Sequence, residues 1–360
     1  MTRVAILNSR QTKTPVGNDP WVRQTVAAVK YAAAQGWTVM SSIGMNTWEL
    51  VTWNVGPHGG CLELVVPAGP TENLIADFDL DPQRVTTHQI AAGTESRNPK
   101  SWWPERDRAI IERADIILPI SLNPGGQLAM LLQQIRPDQI IDNRFTTAHR
   151  PQPHHERSLV DIDRLTDTMR AWSGDFIIHW TRSSHGPWPG ETRAQFYSDM
   201  VGSGDRYCRS ACDTLRRILD ERTLRASSWR IAGATPMVAF TELSPVESIP
   251  LMRWRARWAR WAFEPYGIAI RGDVAERIGT RAVRYVSAKQ WRSLPGDERL
   301  FAHRIGMEPN LWPAEREWRV KGDVDLSAVP RDALRIIVRG CSETPAVACL
   351  TDGTVTSFIR

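Results

Sequence analysis

Three short segments in the second half of the 360-residue chain carry side chains suited to acid–base and anion chemistry. FIIHWTRS (176–183) holds His179, Thr181 and Arg182, FTELSP (240–245) holds Thr241 and Ser244, and EREWRV (315–320) holds Glu315 and Glu317. A histidine and a hydroxyl can hydrogen-bond a polar substrate. An arginine can meet a phosphate, and a carboxylate can take a proton or stabilise developing positive charge. Each residue also has a plain structural reading: a satisfied strand histidine, a β-branched strand residue, a surface carboxylate. Strand alternation puts His179 and Thr181 on one face. It does the same for Glu315 and Glu317, so spacing does not choose between the two glutamates.

A second group sits at turns of small polar residues in the first half. Asn8 and Ser9 follow one apolar run, Ser41, Ser42 and Gly44 follow the next, and Ser121, Asn123, Gly125 and Gly126 follow a later one. Small residues let the backbone approach a phosphate, and exposed amides at a helix start can donate to it. Glu49, one turn into the helix after Gly44, can accept hydrogen bonds from a ribose or a base. The spacing matches neither the dinucleotide-binding glycine fingerprint nor a P-loop, so those two forms of NAD or ATP site are not expected. Ordinary tight turns are the alternative.

A third group is RWRARWARW (253–261). On a helix Trp254, Trp258 and Trp261 fall at i, i+4 and i+7 and share one face. Arg253, Arg257 and Arg260 repeat that spacing one residue earlier. The expectation is an amphipathic helix after Pro250 whose tryptophans pack on a core. Its three arginines are then the candidates for contact with nucleic acid.

The elements that must position these groups differ between the two halves. Over 1–145, apolar runs (4–9, 38–42, 61–69, 115–122) alternate with helical patterns (21–36, 45–53, 104–114 and from 127). This predicts an α/β domain, a Rossmann-like parallel sheet buried on both faces. Residues 146–174 read as a connecting segment. From 175 to 360, strands at 175–181, 236–243, 267–272, 282–287, 316–322 and 334–340 with few helices predict an α+β domain. No stretch approaches the ~20 apolar residues of a membrane helix, and the N-terminal apolar run is too short for a signal peptide. A cytoplasmic protein is the expectation. The five cysteines, Cys61, Cys208, Cys212, Cys341 and Cys349, lack metal-ligand spacing, so no metal is predicted and they read as thiols. A net charge of +5 permits a polyanionic partner without requiring one.

SSIGMNTWELVT (41–52) and ADIILPISLNPGGQL (114–128) resemble the SLOG superfamily, the Rossmann-like group that contains DprA and the LOG phosphoribohydrolases. The likeness covers roughly the first 140 residues and implies binding of a nucleotide, a nucleotide-derived ligand or single-stranded DNA at these loops. The LOG signature P-G-G-x-G-T-x-x-E is met here by SIGMNTWE, where Gly44, Thr47 and Glu49 stand without the double glycine. Ligand sensing, rather than phosphoribohydrolase chemistry, is therefore what the resemblance implies. FTELSP and EREWRV are similar to pieces of the ADP-ribosyltransferase superfamily, DarT-type enzymes in particular, and also to abortive-infection proteins. Over roughly 175–340 that likeness implies NAD as a substrate. His179 would sit on the adenosine-side ribose, Thr181 or Thr241 on the nicotinamide ribose and Arg182 on the pyrophosphate, with Glu317 at the reacting ribose. Taken together, the resemblances imply a nucleotide sensor coupled to an ADP-ribosyltransferase-like effector, with a role in anti-phage defence. The alternative is a DprA-like protein that binds DNA or RNA without catalysis. An oligomer is compatible with either.

Overall fold

The computed structural model describes residues 1–91, 101–150, 159–228, 235–256, 259–305 and 312–360. The chain forms two units. One comprises Met1–Pro153 with His185–Cys208, the other His154–Ser184 with Arg209–Arg360.

In the first unit six strands form one parallel sheet: β1 (Arg3–Asn8), β2 (Thr38–Ser41), β3 (Cys61–Pro67), β4 (Val85–Ile90), β5 (Ile116–Ser121) and β6 (Ile140–Ile141). Their order is β4-β3-β2-β1-β5-β6. The expected α/β class and Rossmann-like parallel sheet are what the chain forms. Alternate strand residues feed two cores. Val4, Ile6, Val39, Leu62 and Leu118 face α1 (Pro20–Ala34) and α2 (Asn46–Val55). On the other side Ala5, Leu7, Met40, Val65 and Ile117 pack with α4 (Trp103–Arg113) and with Leu128 of α5 (Gln127–Leu132). In chain order α3 (Glu72–Asp77) falls between α2 and α4, and its Leu74 and Ile75 pack on the α1/α2 core. Covering both faces is why β1, β2 and β5 are nearly continuous apolar runs. Helix α1 starts on Pro20, whose missing N–H costs nothing at that position. It buries Trp21, Val22, Thr25, Ala28, Val29 and Ala32, and stops before Gly36, which takes φ 67°.

The sequence reading puts everything from 175 onward in the second domain, yet 185–208 groups with the first unit. Its helix α7 (Arg193–Gly202) buries Phe196, Tyr197 and Met200 in the α1/α2 core. Tyr197 lies between the rings of Trp53 and Phe78, 6.4 Å and 6.3 Å away. A capping box starts the helix: Thr192 Oγ1 accepts from Gln195 N, and Gln195 reaches back to Thr192 N.

The second unit is built on a seven-stranded mixed sheet, ordered β13-β16-β9-β7-β12-β18-β19. These strands are β7 (Phe176–Trp180), β9 (Met237–Thr241), β12 (Gly267–Arg271), β13 (Arg281–Ala282), β16 (Glu317–Lys321), β18 (Leu334–Gly340) and β19 (Thr354–Ile359). Only β18 and β19 run parallel. Short pairs flank it, β8 (Thr223–Leu224) with β17 (Val324–Asp325) and β14 (Arg284–Val286) with β15 (Ala302–Arg304). Helix α8 (Ala211–Glu221) covers one face through Leu215 and Leu219, as its spacing predicts. The short α6 (Asp167–Arg170) buries Met169 on the other.

The described residues of RWRARWARW do not form the expected helix. Its ends form a two-stranded antiparallel ribbon, β10 (Trp254–Arg255) and β11 (Arg260–Trp261), in which Trp254 pairs with Trp261 and Arg255 with Arg260. The indoles meet edge to face at 5.8 Å, and Ala259 closes the turn at φ 46°. Helical spacing and a hairpin register both bring Trp254 and Trp261 together, and the cross-strand aromatic pair is what this chain adopts. Arg257 and Trp258 lie outside the described residues.

Candidate functional site

In the first sheet β1 has β2 on one side and β5 on the other, so strand order reverses there. Ligands of open α/β sheets sit beyond the carboxyl ends of the strands at such a point. The two loops at that point are tied together. Ser9 N donates to Ser121 O at 2.9 Å, and Asn123 N donates to Ser9 Oγ at 2.8 Å. Gly126 N donates to Asn123 O at 2.8 Å in a turn so tight that a Cβ on Gly126 would lie 3.1 Å from that oxygen. Against these loops opens a cavity of about 370 Å³, whose walls include Asn8, Arg10, Trp48, Trp103, Arg106 and His149.

Asn8 is 3% exposed; its amide donates to Thr25 Oγ1 at 2.9 Å, and its Oδ1 has no hydrogen-bond partner among the described residues. Arg106 is 1% exposed, and its guanidinium stands 5.1 Å from the ring of Trp48, 5.3 Å from Trp102 and 5.2 Å from Trp103. It donates to Asp107 Oδ1 at 2.8 Å and to Ile43 O at 3.1 Å. Burial pulls the Arg106 guanidinium below its ordinary range and pushes the Asp107 carboxyl above its own, each opposed by the other's charge. Arg106 thus fixes two of the tryptophans that wall the cavity. Sequence reasoning missed this group. Its one local sign is Trp102 and Trp103 standing four and three residues before Arg106, which is side-chain contact spacing on a helix.

The residues expected to hold a ligand here divide. Asn8 and Gly126 line the cavity, and Gly125 stands exposed beside it in the same turn. Ser41 and Ser42 are fully buried, with their hydroxyls spent on Trp48 O at 2.9 Å and Val65 O at 2.6 Å. Gly44 takes φ 92°, and its N–H donates to Glu49 Oε1 at 2.9 Å. Glu49 Oε2 accepts from Tyr197 OH at 2.9 Å and lies 3.4 Å from Arg193 Nε. Glu49 therefore holds α7 in place. Burial, helped by this carboxylate, raises the Tyr197 phenol well above its ordinary range.

In the second unit His179, Thr241 and Glu317 lie on the adjacent strands β7, β9 and β16. Register separates them. Glu317 opposes Thr241 and Thr241 opposes Ile178, so those three share a face. His179 points to the other face, its ring 5.8 Å from Phe240 and its Nδ1 2.8 Å from Ala239 O. Burial pulls the His179 ring down to about 4, against the Ala239 bond and aided by nearby Arg182. Thr241 Oγ1 donates to Glu315 O at 2.5 Å and accepts from Leu243 N. Thr181 Oγ1 bonds Ala211 O at 2.9 Å. Both Glu317 oxygens are held by Arg319, at 2.8 Å and 2.9 Å.

Glu315 stands apart from Glu317, because Arg316 between them takes φ 42° and breaks the extended run. Its carboxylate lies 3.4 Å from Arg255. Burial and the charge of Glu317 push it up to about 7, opposed by Arg255, Arg182 and Arg253. Arg182 is itself pulled down by burial and supported by Glu315 and Glu264. Of the arginines expected to grip nucleic acid, Arg253 is half-buried, with Nε and Nη2 inaccessible and without hydrogen-bond partners among the described residues. Arg260 is half-buried, and Arg257 is outside the described residues. Arg253 and Arg260 form no outward helix face.

No protein-family model matches the chain, and no characterised protein matches it in sequence. Among solved structures it is similar to the single-stranded-DNA-binding DNA processing protein A of Helicobacter pylori, with 15% identity, 37% of this chain and 61% of that one covered, and a TM-score of 0.28. The likeness therefore spans less than two thirds of that relative. A molybdenum cofactor carrier protein from Chlamydomonas reinhardtii gives 13% identity, coverage of 38% and 78%, and a TM-score of 0.25. Likenesses this distant carry no argument about ligand, which rests on the crevice itself.

Proposed function

We propose that the first unit binds a nucleotide or nucleotide-derived ligand in the crevice beyond β1 and β5. The observation that carries this reading is the make-up of one cavity wall: two indoles clamped by a buried arginine, the orphaned Asn8 Oδ1, and the exposed Arg10. A base stacked on an indole gains about 1–3 kcal/mol. An exocyclic amine or ribose hydroxyl satisfies Asn8, and Arg10 meets a phosphate. Titration calorimetry with nucleoside mono- and diphosphates tests it. Binding should weaken about tenfold in Arg10→Glu, while affinity for the phosphate-free nucleoside holds. No binding of any nucleotide at millimolar concentration sinks the reading. Oligonucleotides separate a mononucleotide site from a single-stranded nucleic-acid site. The latter predicts affinity that grows with length and falls steeply with salt.

A second reading concerns the second unit, as a transferase that takes NAD⁺ as substrate and acts through Glu315 rather than Glu317. It is favoured by Glu315 facing Arg182, Arg253 and Arg255 while Arg319 holds both oxygens of Glu317. A carboxyl near neutrality among cations can move a proton beside an anionic substrate. Labelled NAD⁺ with DNA, RNA and protein acceptors tests it. Glu315→Gln should lose about 10²-fold or more in turnover. An inactive wild type, with and without added nucleotides, removes this reading.

A further inference from the structure

A second cavity of about 390 Å³ opens in the first unit, walled by Gln11, Thr12, Thr14, Asp19, Trp21 and Ser121 among others. The Gln11 side chain links a wall residue of each cavity. Gln11 Nε2 lies 3.0 Å from Ser121 Oγ on the new side and 3.3 Å from His149 Nδ1, a wall of the first cavity. The first two turns of α1 carry residues beside both. Thr25 Oγ1 donates to Trp21 O at 2.6 Å and accepts from the Asn8 amide at 2.9 Å. Among the residues lining each cavity is one that carries a buried polar atom without a hydrogen-bond partner among the described residues: Asn8 with its Oδ1 for the first and Trp21 with its Nε1 for the second. Trp21 is 5% exposed, and a buried N–H without an acceptor is costly.

The two lobes differ in charge. The first carries Arg10, Arg106 and His149 against Asp107. The second sets Asp19 against Arg150 and is otherwise hydroxyl, amide and indole with the aliphatic Val16, Pro20 and Ala148. Asp19 Oδ2 accepts from Val16 N at 3.0 Å, which leaves Oδ1 as an acceptor. A carboxylate oxygen, two threonine hydroxyls and an indole N–H suit the hydroxyls of a sugar and disfavour a second phosphate. We infer that the crevice is two-lobed and takes a nucleotide extended through its phosphates by a second sugar, with that sugar in the Trp21–Asp19 lobe. This rests on the nucleotide reading of the first lobe.

Titration calorimetry on the full chain tests it, with ADP against ADP-ribose and UDP against UDP-glucose. The sugar-extended member of at least one pair should bind tenfold or more tightly than its diphosphate. Trp21→Phe, which removes the N–H together with part of the buried indole, should erase that gain and leave diphosphate affinity unchanged. Asp19→Asn should do the same, and it serves if Trp21→Phe lowers the melting temperature sharply. Diphosphates that bind while the added sugar gains nothing, or a gain untouched by both variants, overturn the second lobe alone. If no member of either pair binds, both the lobe and the nucleotide reading fall.

Discussion

Arg106 is a cation held at 1% exposure by one carboxylate and three indole faces. Removing it leaves Asp107 buried and uncompensated, which in comparable pairs costs about 3–5 kcal/mol. Replacing both charges together leaves no orphan. Arg106→Leu should therefore lose about that much in urea unfolding, and Arg106→Leu with Asp107→Leu should recover most of it. Equal losses in single and double variants would mean that packing on the tryptophans, not charge, is what Arg106 supplies. Glu315 gives a pH prediction. Its folded value of about 7 lies above the ordinary 4.5, so between those values the folded chain keeps a proton that the unfolded chain has lost. Stability owed to this group is thus lost as pH rises through that window and is constant above it. His179, pulled down to about 4, works in the opposite direction, but it is common to both proteins compared. The stability of Glu315→Gln relative to wild type should grow from pH 4.5 to 7 and then level. A difference flat across that range would place Glu315 in solvent. Asn8 and Gly126 were legible in the sequence because small polar residues at strand ends are a local sign. The Arg106 cage was not, since Trp48 reaches it from another helix.

Elements were legible where one periodicity fitted. The runs at β1, β2, β5 and β18 have largely apolar centres because both sheet faces are covered, and α1 and α8 show helical spacing. The polar edge strand β4, VTTHQI, lacks that sign. At 253–261 two periodicities fitted, and the helical one does not form. Backbone at Ala259 distinguishes them. A left-handed alanine costs about 1–2 kcal/mol, which glycine avoids at some loss of chain entropy. Ala259→Gly should therefore raise stability by roughly 0.5 kcal/mol, read as a small rise in unfolding midpoint. In a helix interior the same change would lower it by about 1 kcal/mol, so the sign alone decides.

At the scale of the whole molecule, a chain that leaves and re-enters its first unit cannot be cut at one point. Periodicity identifies an amphipathic helix but not the core that receives it, which is why α7 could not be placed from its spacing. The Glu49–Tyr197 bond and the stacking of Tyr197 between Trp53 and Phe78 decide its place. Phe196, Tyr197 and Met200 are each 2% exposed or less. Burying a large apolar side chain contributes about 1.5–3 kcal/mol, so the three together contribute on the order of 6 kcal/mol. That rivals the whole stability of an ordinary domain, about 5–15 kcal/mol. A fragment ending at 153 should therefore lose most of its cooperative unfolding and bind a hydrophobic dye. The fragment 1–208, which restores α7, should regain a cooperative transition and any nucleotide affinity of the full chain. Should the fragment ending at 153 unfold as cooperatively as the longer one, α7 would be an accessory to this unit rather than part of its core. The Glu49 carboxylate would then be free for the ligand role its position suggests.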